Sequence, residues 1–394
     1  MYHQATDCAR AEAQLYPACQ CPQPSCTITN APLDTRTETL IIYKNEVVMK
    51  PIRSRFMQAA ACVLVSVTCS STTLCAASAG HSTYSGQDKT KQSAPSDGEQ
   101  KAMAKVEAAP DLAAKLAAAG EFVKKYPKST LRSKVVSQIA EEIIKIPESA
   151  QRITQFENML TVFKEPSDGE IINPILIDLY FKENKPDDGF RVATAHLAKA
   201  PNDVAVLTQA ALEGVEQAKK KEAKFAQQSL QFGGKAIELI ESGKKPETFD
   251  DAKWGEFQSR WLPVLYQSIG LLSMMMGNKT DARAKLDKAA SLNARDPFTF
   301  LLIGSMLNDD YQQLAEQHKA AAAGPLKDSI LKQAHAKLDE VIDFFARAIG
   351  LSEGKAAYQQ LHDQILQDLQ AYYKYRHGGS TDGLQQLIDK YKMP

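Results

Sequence analysis

The residues able to do chemistry are few and scattered. Six histidines follow residue 79, at 81, 196, 318, 335, 362 and 377, and no two of them stand four residues apart. A helix therefore offers no His pair to a metal ion, and H-E-x-x-H is absent. His335 and Asp339 lie one helical turn apart and share a face, which can orient a base; the usual fate of such a pair is a solvated helix surface. The segment Gly270–Thr280 reads G-L-L-S-M-M-M-G-N-K-T. A phosphate loop needs G-x-x-x-x-G-K-S/T, so that backbone amides cradle the anion, and here the glycine spacing is wrong and Asn278 intervenes. The nucleophile elbow G-x-S-x-G is missing. All seven cysteines (Cys8, Cys19, Cys21, Cys26, Cys62, Cys69 and Cys75) precede residue 76. A disulfide framework, a thiolate metal site and a thiol nucleophile are thereby excluded from the body of the chain. Neither a catalytic constellation nor a cofactor or metal site is expected.

Three further stretches carry chemistry of a softer kind. Lys219-Lys220-Lys221-Glu222-Ala223-Lys224 is a local positive run, which reads first as a solvated stretch and second as a dock for an acidic partner or anionic lipid. Tyr372-Tyr373-Lys374-Tyr375-Arg376-His377 mixes rings and cations. Nucleic-acid stacking needs such groups on an open platform, whereas Ile365, Leu369 and Tyr372 line one helix face and direct the rings to packing. The cations suit the negative end of a helix. Met274, Met275 and Met276 read as packing filler, with a soft surface for varied apolar partners as the sharper alternative. The chain carries 47 Lys+Arg against 47 Asp+Glu, and this neutrality argues against a general nucleic-acid binder.

The elements that must position these groups begin late. Residues 1–48 show no helical apolar period. From Met49 the layout changes: Lys50, Arg53 and Arg55, then an apolar stretch from Phe56 to Val67, then Ala77-Ser78-Ala79. This resembles a bacterial secretory signal peptide with cleavage after Ala79. It implies an exported product, periplasmic or secreted, and makes 1–48 an upstream extension ahead of the real start. The apolar stretch is well under the roughly 20 residues a membrane span needs, so no stable span is expected once it is cleaved. A retained anchor and a lipoprotein are the rivals; Cys69 and Cys75 fit a lipobox badly, and Cys62 sits too early. Residues 80–105 are polar and read as a flexible linker.

From about Val106 apolar residues recur at three and four, as in Val135, Val136, Ile139, Ile143 and Ile144, or Ile171, Ile175, Leu176, Leu179 and Tyr180. Stop-and-cap signals separate them at Tyr126–Ser129, Lys185–Asp188, Ala200–Asp203 and Gly277–Thr280. An all-α body of roughly a dozen helices over 106–394 follows. Within it, Tyr266, Ile269, Gly270, Gly277, Ala282, Leu286 and Ala289 resemble a tetratricopeptide repeat, a helix–turn–helix unit of about 34 residues. Ser273 and Ala294 depart from that pattern. One unit further on, Pro297, Phe300, Ile303 and Gly304 repeat the frame, and the following helix is expected to be delayed by an insertion around Ala320–Lys327. Upstream, Tyr180, Asn184, Gly189, Ala193 and Pro201 fit more loosely, and 204–241 reads as another pair. The resemblance implies a helical-hairpin solenoid of about four to six pairs with C-terminal capping helices at Ala356–Tyr375 and Gly383–Tyr391. Gly189, Ala193, Gly270, Gly277, Ala282, Ala289 and Gly304 are the residues expected to let helices approach.

In this family the first helix of each pair lines a concave face. The Lys, Asn and Arg clamp that grips a C-terminal carboxylate in chaperone-binding members is absent. The corresponding positions imply a binding face made of Asp178, Phe181, Leu212, Gln267, Leu271, Met274, Met275 and Leu301, suited to an apolar or helical peptide. A protein or peptide partner without nucleic acid is thus the leading expectation; the oligomeric state stays open. The alternative is an envelope-assembly or polysaccharide-export accessory protein holding a polymer or lipid. That reading needs exposed aromatics, and it weakens if Trp254 and Trp261 are both buried. A hydrolase with a cryptic carboxylate site is a third reading.

Overall fold

The computed structural model describes residues 94–392. The expected extension 1–48, the expected signal segment 49–79 and most of the expected 80–105 linker lie outside the described residues. The end of that linker does not, and it is helical. Ser96 opens α1 (Asp97–Glu107) with a capping box: its hydroxyl accepts from the Glu99 amide at 3.3 Å and its own amide donates to the Glu99 carboxylate at 2.7 Å. Met103 and Val106 of this helix are buried. The helical body therefore starts at Asp97 rather than Val106. Only two side chains of α1 reach the core, too few for the apolar period to be visible in a polar stretch.

Helices continue through α2 (Leu112–Lys125), α3 (Arg132–Ile144), α4 (Ser149–Val162), α5 (Pro166–Lys182), α6 (Pro186–Leu197) and α7 (Val204–Lys219). The second half comprises α8 (Ala226–Glu241), α9 (Asp251–Met275), α10 (Lys279–Leu292), α11 (Pro297–Ala320), α12 (Pro325–Ser352), α13 (Gln359–Arg376) and α14 (Leu384–Asp389). No strand occurs among the described residues. From α5 onward the closest packing lies within consecutive pairs, α5/α6, α7/α8, α9/α10 and α11/α12. With α1/α2 and α3/α4 ahead of them the array holds six pairs, and α13 and α14 close it against α12. First helices also touch in succession, α3 to α5, α5 to α7 and α7 to α9. An all-α solenoid of helical hairpins results, in which each unit buries its apolar face against its neighbours.

Two features of the second half depart from even helical hairpins. α9 begins at Asp251, capped by the Asp250 carboxylate on the Lys253 amide at 2.7 Å, and runs on through Pro263. A proline inside a helix removes one backbone bond; here Trp261, Leu265 and Tyr266 are all buried around it and hold the helix together. Second, the helix after Phe300 is delayed as expected, but the added residues lengthen helices instead of forming a long loop: α11 runs 24 residues to Ala320, a short turn follows, and α12 of 28 residues begins at Pro325, giving helices roughly 36 and 42 Å long.

Three apolar clusters run along the array. One joins α1–α5 around Phe122, Phe156 and Met159; one joins α5–α10 around Ile177, Phe190 and Leu265; one joins α7–α14 around Phe298, Leu338 and Phe345. Close approach is made by glycine at the hairpin crossings. A Cβ on Gly270 would lie 2.9 Å from Leu286 Cγ, and one on Gly304 would lie 2.6 Å from Phe345 Cδ1. Ala193, Ala282 and Ala289 are at most 1% exposed. Gly277 takes a left-handed φ of 80° at the α9–α10 turn, where a side chain would be strained.

Candidate functional site

The row of first helices presents one long face, and its chemistry can be read helix by helix. On α7 the accessible positions are Ala205, Gln209, Leu212, Glu213, Glu216 and Lys219, a single stripe at three- and four-residue spacing. On α9 the stripe is Val264, Gln267, Ser268, Met274 and Met275, and on α11 it is Ser305, Asp309, Gln312, Gln313 and Glu316. Adjacent stripes are laced together. Gln209 of α7 donates to Asp178 of α5 at 2.9 Å. Gln267 of α9 donates to the Asp296 carboxylate and, at 2.7 Å, to the Thr299 hydroxyl at the start of α11.

The expected binding residues fall into three groups. Met274 and Met275 lie at the edge of the third core, partly accessible, and Leu212 does the same beside the second. Asp178 and Gln267 reach the face, but their polar atoms already join neighbouring helices; Asp178 also pairs with Lys182 at 2.6 Å. The remaining three are corrected. Leu271 is 4% exposed and Leu301 is 1% exposed, so neither can meet a ligand. Both sit on the expected stripe but belong to the third apolar cluster. Phe181 turns into its own hairpin, where its ring fills the space beside Gly189 and meets the Phe190 ring edge-on at 5.4 Å. The face is consequently more polar than the sequence implied, with Met274, Met275 and Leu212 as its apolar points.

The other chemical candidates are dispersed by the fold. Lys219 pairs with Glu216, Lys220 donates to Asn184 at 3.0 Å, and Lys224 pairs with Asp187, so the lysine run divides among separate contacts. Burial pushes the Lys219 ammonium pKa down, with Glu216 opposing. Burial likewise pushes the Glu213 carboxyl up, against the Gln217 amide that donates to it at 2.6 Å. His335 and Asp339 do not pair with each other. His335 meets the Tyr375 hydroxyl at 3.2 Å, while Asp339 takes a two-pronged bond from Arg376 at 2.7 and 2.8 Å. Tyr372 and Tyr373 are buried, and the Tyr372 hydroxyl donates to Asn308 at 2.7 Å. Trp254 and Trp261 are both buried among the aromatic rings of Phe249 and Phe257. They offer no exposed stacking platform.

Sequence reading missed two buried polar pairs. Arg132 and Asp168 form a two-pronged ion pair at 2.8 and 2.7 Å, 8% and 1% exposed. His196, 3% exposed, meets the Asp203 carboxylate at 2.8 Å. Asp203 was legible as a helix cap, since its other oxygen accepts from the Ala205 and Val206 amides at 3.1 Å. Nothing local marks its second partner.

Among the described residues no group of three or more His, Cys, Asp or Glu is arranged to hold a metal ion, and no helix is long and apolar enough to cross a membrane. No protein-family model matches the chain, and no curated protein matches it either.

Proposed function

We propose that the chain is an exported helical-repeat scaffold of the tetratricopeptide type, non-catalytic, that binds another protein or peptide across its first-helix face. The carrying observation is the set of accessible stripes on α7, α9 and α11, interrupted on α9 at the buried Leu271, with Leu212, Met274 and Met275 as apolar points among amides and carboxylates. Interfaces concentrate binding energy in a few apolar anchors ringed by polar groups, and methionine adapts to varied apolar shapes. Export rests on the Met49–Ala79 layout, and the family on the pattern from Tyr266 to Ala289. The burial of Trp254 and Trp261 leaves the polymer-binding alternative without its aromatic platform.

A photo-reactive amino acid placed at Gln209 or Met274, with Ala284 and Gln231 on second helices as controls, tests the reading in the source cells. The expected result is a discrete protein adduct from the two first-helix positions and none from the controls, with the Gln209 adduct lost in a Met274→Asp, Met275→Asp double variant. Adducts of equal strength from both faces, or none from either, reject it.

A further inference from the structure

The end of the α11–α12 hairpin stands clear of the array. Ala315 of α11 and Ala334 of α12 are buried, and no residue between them is. From Pro325 to Ala334 the rise along α12 is roughly 14 Å. An exposed turn is normally built from polar and turn-forming residues. This one reads Ala320-Ala321-Ala322-Ala323-Gly324-Pro325-Leu326. Gly324, at a φ of 143°, and Pro325, at the first position of α12, account for the reversal of the chain. They do not account for Leu326, which is 70% exposed, against 47% for the next most open large apolar side chain, Met276.

The charges at the tip are informative as well. Lys319 and Lys327 bracket the apolar run. Neither forms an ion pair among the described residues, nor does Lys332, whereas Lys279 and Lys337 on the same face of the fold's second half are both paired. Lys319 ends α11, where a cation suits the negative end of the helix. Lys327 lies in the first turn of α12, where the helix end is positive and a cation is disfavoured. Asp328 beside it is the charge that suits that turn, and Glu316 lies one turn back from the tip. Folding therefore gives a reason for Lys319 and Asp328, and none for Leu326 or Lys327.

An apolar tip between two free cations matches the boundary of an anionic bilayer. Apolar side chains gain there by leaving water, while lysine ammoniums stay at headgroup depth with their stems along the apolar surface. A protein pocket is a poorer match, because interfaces draw their energy from Trp, Tyr and Arg anchors and the tip carries none. Entry must be shallow: the Ala322 and Ala323 amides donate to no backbone carbonyl among the described residues, and such groups need water. We propose that the α11–α12 tip docks on an anionic lipid surface. Leu326 enters the boundary between headgroups and acyl chains, and Lys319 and Lys327 pair with lipid phosphates. The contact is interfacial and separate from the first-helix face.

The full chain carrying Leu326→Trp, mixed with phosphatidylglycerol vesicles whose acyl chains are brominated, tests this. Trp254 and Trp261 are buried, and the unsubstituted chain supplies their background. The expected result is saturable quenching of the added indole at about 0.1 M salt, falling away at about 0.5 M. Brominated phosphatidylcholine vesicles should not quench it. Leu292→Trp, at a 40% exposed position ending α10, should stay unquenched. Adding Lys319→Gln and Lys327→Gln to Leu326→Trp should weaken partitioning by at least about tenfold, with the melting curve in place because neither lysine is ion-paired. No quenching in Leu326→Trp, which is also what attachment through another part of the chain predicts, would overturn the proposal. So would equal quenching in Leu292→Trp or by phosphatidylcholine, or partitioning unmoved by the two lysine changes.

Discussion

The two ends of the array are held by different physics. At the front, α1–α6 are 11 to 17 residues long, and the tie between the second and third pairs is charged: Arg132 of α3 grips Asp168 of α5, whose Oδ2 also caps its own helix by accepting from the Glu165 amide at 3.0 Å. At the back, α11 and α12 are 24 and 28 residues long and meet through Phe298, Phe300, Leu338 and Phe345. The two-pronged ion pair there, Arg376 on Asp339, lies at the surface, and the buried polar bond is neutral, Tyr372 on Asn308. Buried apolar area grows with hairpin length. Short hairpins gain less of it, and a buried ion pair adds register at the cost of desolvating two charges. The front end should therefore fail abruptly when one partner of its pair is lost, and the back end by degrees as packing is disturbed.

The largest test of that contrast is Asp168→Ala. It leaves the Arg132 guanidinium buried without its carboxylate, whose hydrogen bond now raises its pKa, and should cost about 3–5 kcal/mol. In a repeat array contacts are local, so amide exchange should accelerate in α3–α5 while α12 keeps its protection. Equal loss in α12 would mean that the two ends unfold as one unit and that the contrast has no energetic content. Replacing both partners, Arg132→Met with Asp168→Leu, should recover most of the loss, because no charge is then stranded. Gly304→Ala comes next in size. Its methyl must displace the Phe345 ring, and overpacking of this kind costs about 1–3 kcal/mol. Urea denaturation should place the loss in the back end, with the α1–α5 exchange pattern unchanged. A neutral Gly304→Ala would mean that α11 and α12 can slide apart without penalty.

What the sequence revealed follows the same divide. Local signals were readable: the breaks at Tyr126–Ser129 and Ala200–Asp203 fall between helices, those at Lys185–Asp188 and Gly277–Thr280 span the start of the next helix, and Asp203 and Asn278 do cap the helices that follow. These depend on residues a few places apart. Arg132 and Asp168 are 36 residues apart, and no local pattern couples them. Burial of Leu271 and Leu301 was hidden for a related reason. A helical stripe identifies which residues share a face, whereas the next helix in the row decides whether that face is open. α9 continues through Pro263 because tertiary packing of Trp261 and Leu265 overrides the local tendency of proline to end a helix.

The smallest effect concerns acid. His335 is the histidine of α12 that faces α13, next to Tyr375 and Arg376, with Asp339 on its own helix and His318 on α11 nearby. Burial lowers its pKa, Arg376 and His318 lower it further, and Asp339 opposes them. The folded state therefore prefers the neutral ring more than the unfolded chain does. The unfolded chain takes up its proton near pH 6.5, so the stability that His335 contributes is complete above that value. It is lost as pH falls from about 6.5 through the lower folded pKa. Because the ring is partly exposed, the loss should amount to a few tenths of a kcal/mol, at most about 1. Exchange measured in steps from about pH 7 to pH 5.5, corrected for intrinsic rates, should show α12–α13 loosening while α3–α5 holds. His335→Gln can keep a bond to the Tyr375 hydroxyl without titrating, and should flatten the α12–α13 profile. A profile that stays equally steep in that variant would place the acid sensitivity in the carboxylates of the array and remove this last distinction between its ends.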